Sequence, residues 1–350
     1  MTLRSNEYWE HRARQRMAEY HRQNDAVIRH IVAAYNRGQQ NVLEAVERIF
    51  GTYVANHGLT PEEARQLLSE PISRREWERI REQYRKVKDP EIRRRLLAIL
   101  NAPAYAARIT KRLALQADMF IQSKLIADVE LELLTRALMS TINEAYYRTI
   151  FDLQRGTGYV FDFAAMPRRR IEAILKRSWS GEHFSRRIWG NTDVLAKTLT
   201  EVITGGLMSG ASIRQMREQI EERFAVSKHA ANRLLRTETT YMANAAEMEA
   251  YEEAGIERYR FVATLDLRTS DKCRQQDGKV YLVSDARPGV NMPPMHPNCR
   301  STTVAVIDVG EEIEMQRRAR DPATGKTMIV PASMTYQQWY DTYVKGRKTA

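Results

Sequence analysis

The sequence contains only two cysteines, Cys273 and Cys299, among its 350 residues. Two thiols exclude the multi-disulfide framework that stabilises small secreted domains. The chain also lacks an uninterrupted apolar run of the ~18 residues that would cross a bilayer. Its first residues carry charges where a secretory signal has an apolar core. We therefore expect no membrane span and no export signal, and we expect the protein to be made and used in a cytoplasm.

Familiar catalytic signatures are missing as well. The sequence has no His-Glu-x-x-His helix, no P-loop, no Gly-x-Ser-x-Gly elbow and no dinucleotide-binding glycine pattern. A zinc deaminase would need His-x-Glu with Pro-Cys-x-x-Cys, whereas Pro297 and Asn298 follow His296. We therefore predict no catalytic residues and a protein that is not an enzyme.

Helix-breaking residues are rare in the first half of the chain. Residues 59 to 155 contain no glycine, and residues 104 to 155 contain neither glycine nor proline. Such a composition favours long helices. Apolar residues also recur at steps of three and four through 105–153, which predicts an amphipathic helix at about 104–154. A projecting rod, a helical hairpin and an ordinary bundle helix with a hidden break are all compatible with this pattern.

Local signals mark where the elements begin and end. Thr60, Ser73, Ser212 and Ser227 are predicted to begin helices, and Gly255 is predicted to cap the last long one. The stretches 259–264, 279–283 and 302–308 are rich in β-branched and aromatic residues, which predicts strands. We therefore predict a mainly α fold in three parts: a helical N-terminal region (1–158), a helical segment (168–255), and a small α+β module with short strands and a C-terminal helix (256–350).

The charge balance is basic, with 55 Lys and Arg against 44 Asp and Glu and a net charge of +11. A positive field suits DNA, an acidic protein surface or an anionic lipid leaflet. Residues 74–112 form one basic stretch, and candidate DNA contacts in a second are Arg168, Arg169, Arg170, Arg186 and Arg187. Neither stretch matches a base-reading motif, so we expect any DNA binding to be independent of sequence. Glutamate-paired, solvated helix faces are the alternative.

Cys273, His296 and Cys299 are candidate ligands of a zinc ion. A tight His-Pro-Asn-Cys turn would place two of them side by side, and thiolate and imidazole are ligands that zinc prefers. The set is one ligand short of a structural site, because Ser270 stands where a Cys-x-x-Cys pair would begin. Two buried, unmodified thiols are the favoured interpretation, with a disulfide and a Cys299 nucleophile activated by His296 as further alternatives. We predict no cofactor and leave zinc open.

Charged residues around this cluster are predicted to fix the fold. Asp266 and Arg268 alternate along an extended segment, which predicts an ion pair that also holds the loop at Asp277–Gly278, where glycine permits a positive φ. Arg236 and Glu238 are two positions apart in a helix and so point to different sides. They would tether that helix to two surfaces, one of them the strand module. A catalytic Glu238 is the alternative.

The order of these motifs resembles the phage Mu F-like minor head protein family. The resemblance covers about 170–340 and rests on the segments 179–192, 210–212, 236–238, 266–269, 277–278, 296–300 and 330–339. It implies structural roles for Arg236, Glu238, Asp266, Arg268, Asp277, Gly278, Pro297 and Arg300. Many relatives have cysteines at the positions of Ser270 and Ser301. Some carry an appended C-terminal toxin domain, which we do not expect here because the sequence ends soon after Trp339.

The resemblance implies a minor capsid protein of a tailed bacteriophage that acts in head morphogenesis. The expected partners are the portal protein, the major capsid or scaffolding protein, and phage DNA bound without sequence preference. The expected location is the virion, inside the head, after assembly in the host cytoplasm, with no membrane involved. The protein would associate with the portal and assist DNA packaging or delivery. Two alternatives are a sequence-nonspecific DNA-binding protein acting on the genome end and a metal-dependent nuclease centred on His296.

Overall fold

The computed structural model describes residues 6–54, 59–87, 89–99, 109–157, 165–307, 316–321, 324, 326–331 and 334–345. This part of the chain is mainly helical, with long helices ahead of a small antiparallel sheet, which confirms the predicted fold class. The eight helices before the first strand are α1 (Asn6–Val54), α2 (Pro61–Ser69), α3 (Arg74–Lys86), α4 (Pro90–Ile99), α5 (Lys111–Thr157), α6 (Arg168–Lys176), α7 (Phe184–Met208) and α8 (Ile213–Glu253). No described helix is long and apolar enough to span a membrane.

Most predicted helix boundaries are confirmed because they depend on short-range hydrogen bonds. Thr60 forms a reciprocal capping box with Glu63, and Ser212 exchanges hydrogen bonds with Gln215 at the start of α8. At the other end of α8, Gly255 has φ of +68°. Its N–H donates to the Glu252 carbonyl and the next N–H donates to the Tyr251 carbonyl, which is a Schellman cap.

The predicted helix start at Ser227 is wrong. Ser227 lies in the interior of α8, which continues without a break from Ile213 to Glu253. Buried side chains on both sides of it, Phe224 and Ala231, are seven residues apart and so lie on the same face of the helix. Tertiary packing of that face therefore carries the helix through a residue whose hydroxyl would otherwise suit a cap.

The long helix α5 is continuous over 47 residues. Of the predicted range, residues 104–108 lie outside the described part, and the helix runs three residues beyond the predicted end. Neither a hairpin nor a hidden break interrupts it. It is also not a solvated rod, because buried side chains recur along it from Ala114 to Leu153.

The chain divides into two compact units. Unit 1 comprises 1–26, 135–183 and 233–350, and unit 2 comprises 27–134 and 184–232. Helices α1, α5 and α8 contribute residues to both, so each unit combines stretches that are distant in sequence. The three predicted segments follow the order of elements along the chain, and their boundaries stay a prediction.

Unit 2 has an apolar core built from helix faces. Its buried residues come from α1, α2, α5, α7 and α8 and include Tyr35, Phe50, Met119, Leu199, Ile203 and Phe224. Gly38 allows a close approach in this core, because a Cβ there would lie 2.5 Å from Cδ1 of Ile126. A second cluster around Trp77, Ile80 and Leu96 packs α3 and α4 against the start of α5.

Unit 1 contains the sheet. Strands β1 (Arg258–Val262), β2 (Val280–Leu282) and β3 (Thr302–Val306) form an antiparallel sheet in the order β2-β1-β3, close to the predicted strand positions. Helix α9 (Asp271–Gln276) connects β1 to β2. A second antiparallel pair, β4 (Gln316–Arg320) and β5 (Thr327–Pro331), was not predicted, because β4 has no apolar alternation. The predicted C-terminal helix is α10 (Tyr336–Tyr340), capped by Thr335.

Candidate functional site

The turn at 296–299 brings the three candidate metal ligands together. The N–H of Cys299 donates to the His296 carbonyl at 3.2 Å, and Asn298 has a positive φ of 59°. Proline at the second position and asparagine in the left-handed region at the third are typical of a type II turn. Helix α9 supplies Cys273, whose sulfur lies 3.4 Å from Nε2 of His296 and 3.6 Å from the Cys299 sulfur. Both cysteines are free thiols and buried.

The two thiols share one hydrogen bond. Donation from Cys273, helped by His296, lowers the pKa of Cys299 well below its ordinary value. The same shared bond raises the pKa of Cys273, and burial raises it further. The hydrogen bond with Cys299 also raises the pKa of His296. The pKa values of the two thiols are therefore shifted in opposite directions, down for Cys299 and up for Cys273.

Two threonines of α8 hold this turn in place. The Thr237 hydroxyl accepts from the N–H of Asn298 at 3.0 Å, and the Thr240 hydroxyl donates to the Cys299 carbonyl at 2.7 Å. Both threonines are buried. Neither threonine was predicted as a site residue, although their spacing of three residues places both on one face of the helix. This spacing is the signal that would have indicated a shared partner.

The predicted ion pair between Asp266 and Arg268 is wrong. Asp266 instead forms a bidentate salt bridge with Arg300, with nitrogen–oxygen distances of 2.6 and 2.8 Å. The chain turns after Asp266, so the N–H of Arg268 donates to the Asp266 carboxylate while the Arg268 side chain is exposed. Burial opposes ionisation of Asp266, but the hydrogen bonds and charge of Arg300 outweigh burial and lower the pKa of Asp266.

Asp277 and Gly278 fix the loop between α9 and β2. The Asp277 carboxylate accepts from the N–H of Ala263 at 2.9 Å, next to the end of β1. Gly278 has φ of +79°, as predicted from its residue type, and its N–H donates to the Phe261 carbonyl. Both residues therefore attach this loop to β1.

Arg236 and Glu238 contact different partners, as their spacing predicts. Arg236 pairs with Asp25 of α1 at 3.0 Å, and Glu238 accepts from the indole N–H of Trp179 at 3.0 Å. The Trp179 ring stacks on Tyr241 with ring centres 5.2 Å apart. The predicted contact between this helix and the strand module is made in part by Thr237 and Thr240.

A buried acid farther along α8 was missed. Glu247 is completely buried, and it accepts hydrogen bonds from the hydroxyls of Thr302 and Thr303 in β3 at 3.3 and 3.1 Å. Arg16 lies 3.6 Å from the same carboxylate and also pairs with Asp152. Burial raises the pKa of Glu247 and its partners oppose that rise. This network attaches β3 to three helices of unit 1 and uses no exposed group.

The candidate DNA contacts belong to different units. Arg168, Arg169 and Arg170 lie in unit 1, whereas Arg186 and Arg187 lie in unit 2. Arg168 pairs with Glu172, and Arg170 pairs with Glu249. Among the described residues no ion pair involves Arg169 or Arg186, and both side chains are exposed. Part of this positive charge is thus neutralised within the protein.

Comparison with known proteins identifies one segment of the chain. Residues 197–304, from the second half of α7 to β3, match the family described as Phage Mu protein F like protein. The chain is 24% identical over 221 residues to NAD(+)–arginine ADP-ribosyltransferase EFV of Enterococcus faecalis, over 59% of this chain and 44% of that protein. It is 23% identical over 107 residues to a protein of Haemophilus influenzae named only as uncharacterized, over 31% of this chain and 24% of the relative.

No solved structure matches the chain. The chain spans less than half the length of the curated relatives it matches. The family match nevertheless confirms the resemblance predicted from the sequence, because it covers the helix, turns and strands described above. This protein carries a phage Mu F-like segment. That segment indicates a bacteriophage head morphogenesis protein and a place in the virion.

Proposed function

We propose that the protein is a minor head protein that associates with the portal during head assembly and assists DNA packaging or delivery. The observation that carries the proposal is the phage Mu F-like segment at 197–304. The major capsid or scaffolding protein is the second expected partner. The polar residues of the segment support a structural role, since the carboxylates of Glu238, Asp266 and Asp277 are each engaged in hydrogen bonds within the protein.

The strand module offers a surface for this association. Strand β2 lies at the edge of its sheet and exposes Val280 and Leu282, which are 40% and 47% accessible. They are two positions apart in a strand and therefore lie on the same face. Leu267 and Val290 of the same module are also exposed. Exposed apolar side chains on one small module are typical of a protein-binding surface, and we assign this one to the portal.

Co-purification from assembling heads tests the proposal. The wild-type protein should be recovered with the portal protein of the same phage and in mature heads. Changing Val280 and Leu282 to serine should abolish recovery with the portal. Val194, which is 65% accessible and lies in unit 2, changed to serine is the matched control and should leave recovery unchanged. Absence of the wild-type protein from heads and from portal complexes would refute the proposal.

A DNA-binding protein that acts on the genome end is the second candidate. The net charge of +11 and the exposed Arg169 and Arg186 favour it. Binding should weaken steeply with salt and should not depend on sequence. Changing either arginine alone to glutamine should weaken it more than the same change at Arg65 or Arg214, which are equally charged, exposed and paired with neighbouring glutamates. Equal effects of all four single variants would reject a localised DNA contact at Arg169 or Arg186.

We also propose that the protein is not an enzyme. The transferase activity in the name of the Enterococcus faecalis relative belongs to a protein of which this chain spans 44%. In the matched segment, the buried carboxylates form internal hydrogen bonds, which suits a structural role. Incubation with NAD and an arginine-containing protein should give no ADP-ribosylation, and incubation of DNA with divalent metals should give no cleavage. Turnover that is lost on changing Glu238 or His296 would overturn this proposal and favour the transferase or nuclease alternative.

A further inference from the structure

We infer that Cys273, His296 and Cys299 bind a zinc ion that joins α9 to the turn at 296–299. This inference depends on the geometry of unit 1 and not on the proposed role in phage heads. Among the described residues, these three side chains bring two sulfurs and an imidazole together, and all three ligand atoms lie within 4.8 Å of one another. Two sulfurs and an imidazole favour zinc over magnesium, calcium or manganese, which prefer oxygen ligands.

The distances between the ligand atoms fit a tetrahedral zinc ion. Bonds of about 2.3 Å to sulfur and about 2.0 Å to nitrogen place two sulfurs about 3.8 Å apart and a sulfur and a nitrogen about 3.5 Å apart. The protein has 3.6 Å between the two sulfurs and 3.4 Å between the Cys273 sulfur and Nε2 of His296. A disulfide would need about 2.05 Å between the sulfurs. These two distances therefore match two edges of a zinc tetrahedron, and the ligand atoms of the third pair, His296 and Cys299, lie within 4.8 Å of each other.

The histidine is oriented as a metal ligand. Nδ1 of His296 lies 2.8 Å from the carbonyl oxygen of Pro297. A carbonyl oxygen only accepts hydrogen bonds, so Nδ1 carries the proton and Nε2 faces the two sulfurs. A histidine that ligates a metal through one nitrogen usually donates from the other to an oxygen, which fixes its ring. The Pro297 carbonyl fills that supporting role here.

The backbone around the ligands is held before any ion binds. Thr237 and Thr240 of α8 bond the turn at Asn298 and Cys299, and Ser270 caps α9 by accepting from the N–H of Cys273. A site that is already ordered loses little conformational entropy on binding. Ser270 thus has a structural task at the position where a third cysteine would supply the fourth ligand.

The fourth ligand is assigned to water. Asp266 is paired with Arg300 and Asp277 accepts from Ala263, so neither carboxylate turns toward the sulfurs. The cysteines are buried, whereas His296 is only half-buried and leaves a path from solvent on its side. Catalytic zinc sites have three protein ligands and an open position, whereas structural sites are usually closed by four. Here the open position would hold water, and the ion would connect α9 to the turn at 296–299, beside the small apolar cluster of Phe261, Ala263 and Met295.

Metal content of the full-length protein tests this inference. Protein purified under reducing conditions with zinc in the medium should contain one zinc ion per chain by elemental analysis. Cobalt in place of zinc should give the absorption of thiolate-to-cobalt charge transfer. Cys299→Ser and His296→Ala should each lose the zinc and that absorption. His229→Ala, which changes an exposed histidine of unit 2, is the control and should retain both.

Alkylation of the wild-type thiols keeps the test decisive if a variant does not fold. Zinc should slow the alkylation of Cys273 and Cys299, because the thiolate that reacts is also the form that binds the metal, and a chelator should restore the faster rate. Metal-free protein with no cobalt spectrum would overturn the inference. So would a Cys273–Cys299 disulfide in freshly reduced protein, or retention of zinc by His296→Ala.

Discussion

His21 of α1 is predicted to make the stability of the protein depend on pH. It is only 6% exposed, and its Nε2 lies 3.3 Å from the Thr240 hydroxyl. That hydroxyl donates its proton to the Cys299 carbonyl. It therefore accepts from Nε2–H of His21, and a neutral imidazole ring can make this hydrogen bond. Nδ1 has no hydrogen-bond partner within the described chain. Burial, then the charges of Arg236 and Arg300, lower the pKa of His21 to about 4.

The lowered pKa means that the unfolded chain takes up a proton more readily than the folded protein. The contribution to folding stability is therefore complete above the unfolded pKa of 6.5 and is lost as pH falls from there to about 4. At about 1.4 kcal/mol per pH unit, the difference between 6.5 and 4 corresponds to about 3 kcal/mol. Between pH 7 and pH 5 the loss should be about 2 kcal/mol.

Urea unfolding of the wild type and of His21→Gln at several pH values measures this effect. Glutamine keeps a donor near Nε2 but does not titrate, so the variant should lose about 2 kcal/mol less than the wild type between pH 7 and pH 5. Carboxylates titrate in both proteins and cancel in the comparison. His229→Gln, at an exposed position, should behave as the wild type. Equal losses in His21→Gln and the wild type, or titration of folded His21 near 6.5, would refute the reasoning.

Three further predictions concern the free energy of unfolding at pH 7, measured by urea denaturation. Asp266→Asn should cost about 2 kcal/mol because it breaks the charged hydrogen bonds to Arg300. Arg268→Ala is the control and should cost nearly nothing. Equal costs of the two changes would contradict the observed pairing. Gly278→Ala should cost about 1–2 kcal/mol from its positive φ alone, since the space around it is open, and a neutral result would contradict this. Leu199→Ala, in the core of unit 2, should cost about 2–5 kcal/mol, and a smaller cost would mean that the core collapses around the cavity.

The sequence by itself determined the features that depend on neighbouring residues. The capping boxes at Thr60 and Ser212, the left-handed cap at Gly255 and the turn at His296–Cys299 all form between residues a few positions apart. Their hydrogen bonds follow from residue type and spacing, so they can be predicted from the sequence. The strand positions and the resemblance to the phage Mu F-like family were also readable, because both depend on local patterns in a fixed order.

Tertiary structure alone decided which distant groups meet. Asp266 had an arginine two positions away, yet it pairs with Arg300, 34 residues along the chain. Likewise, Glu247 is buried against β3, and Ser227 lies inside a continuous helix although its residue type suits a helix start. A charged side chain can pair with any opposite charge that packing brings near, and burial depends on what covers a face. The spacing of residues along the sequence shows neither which charges packing brings together nor what covers a helix face. These contacts could therefore be seen only in the folded chain.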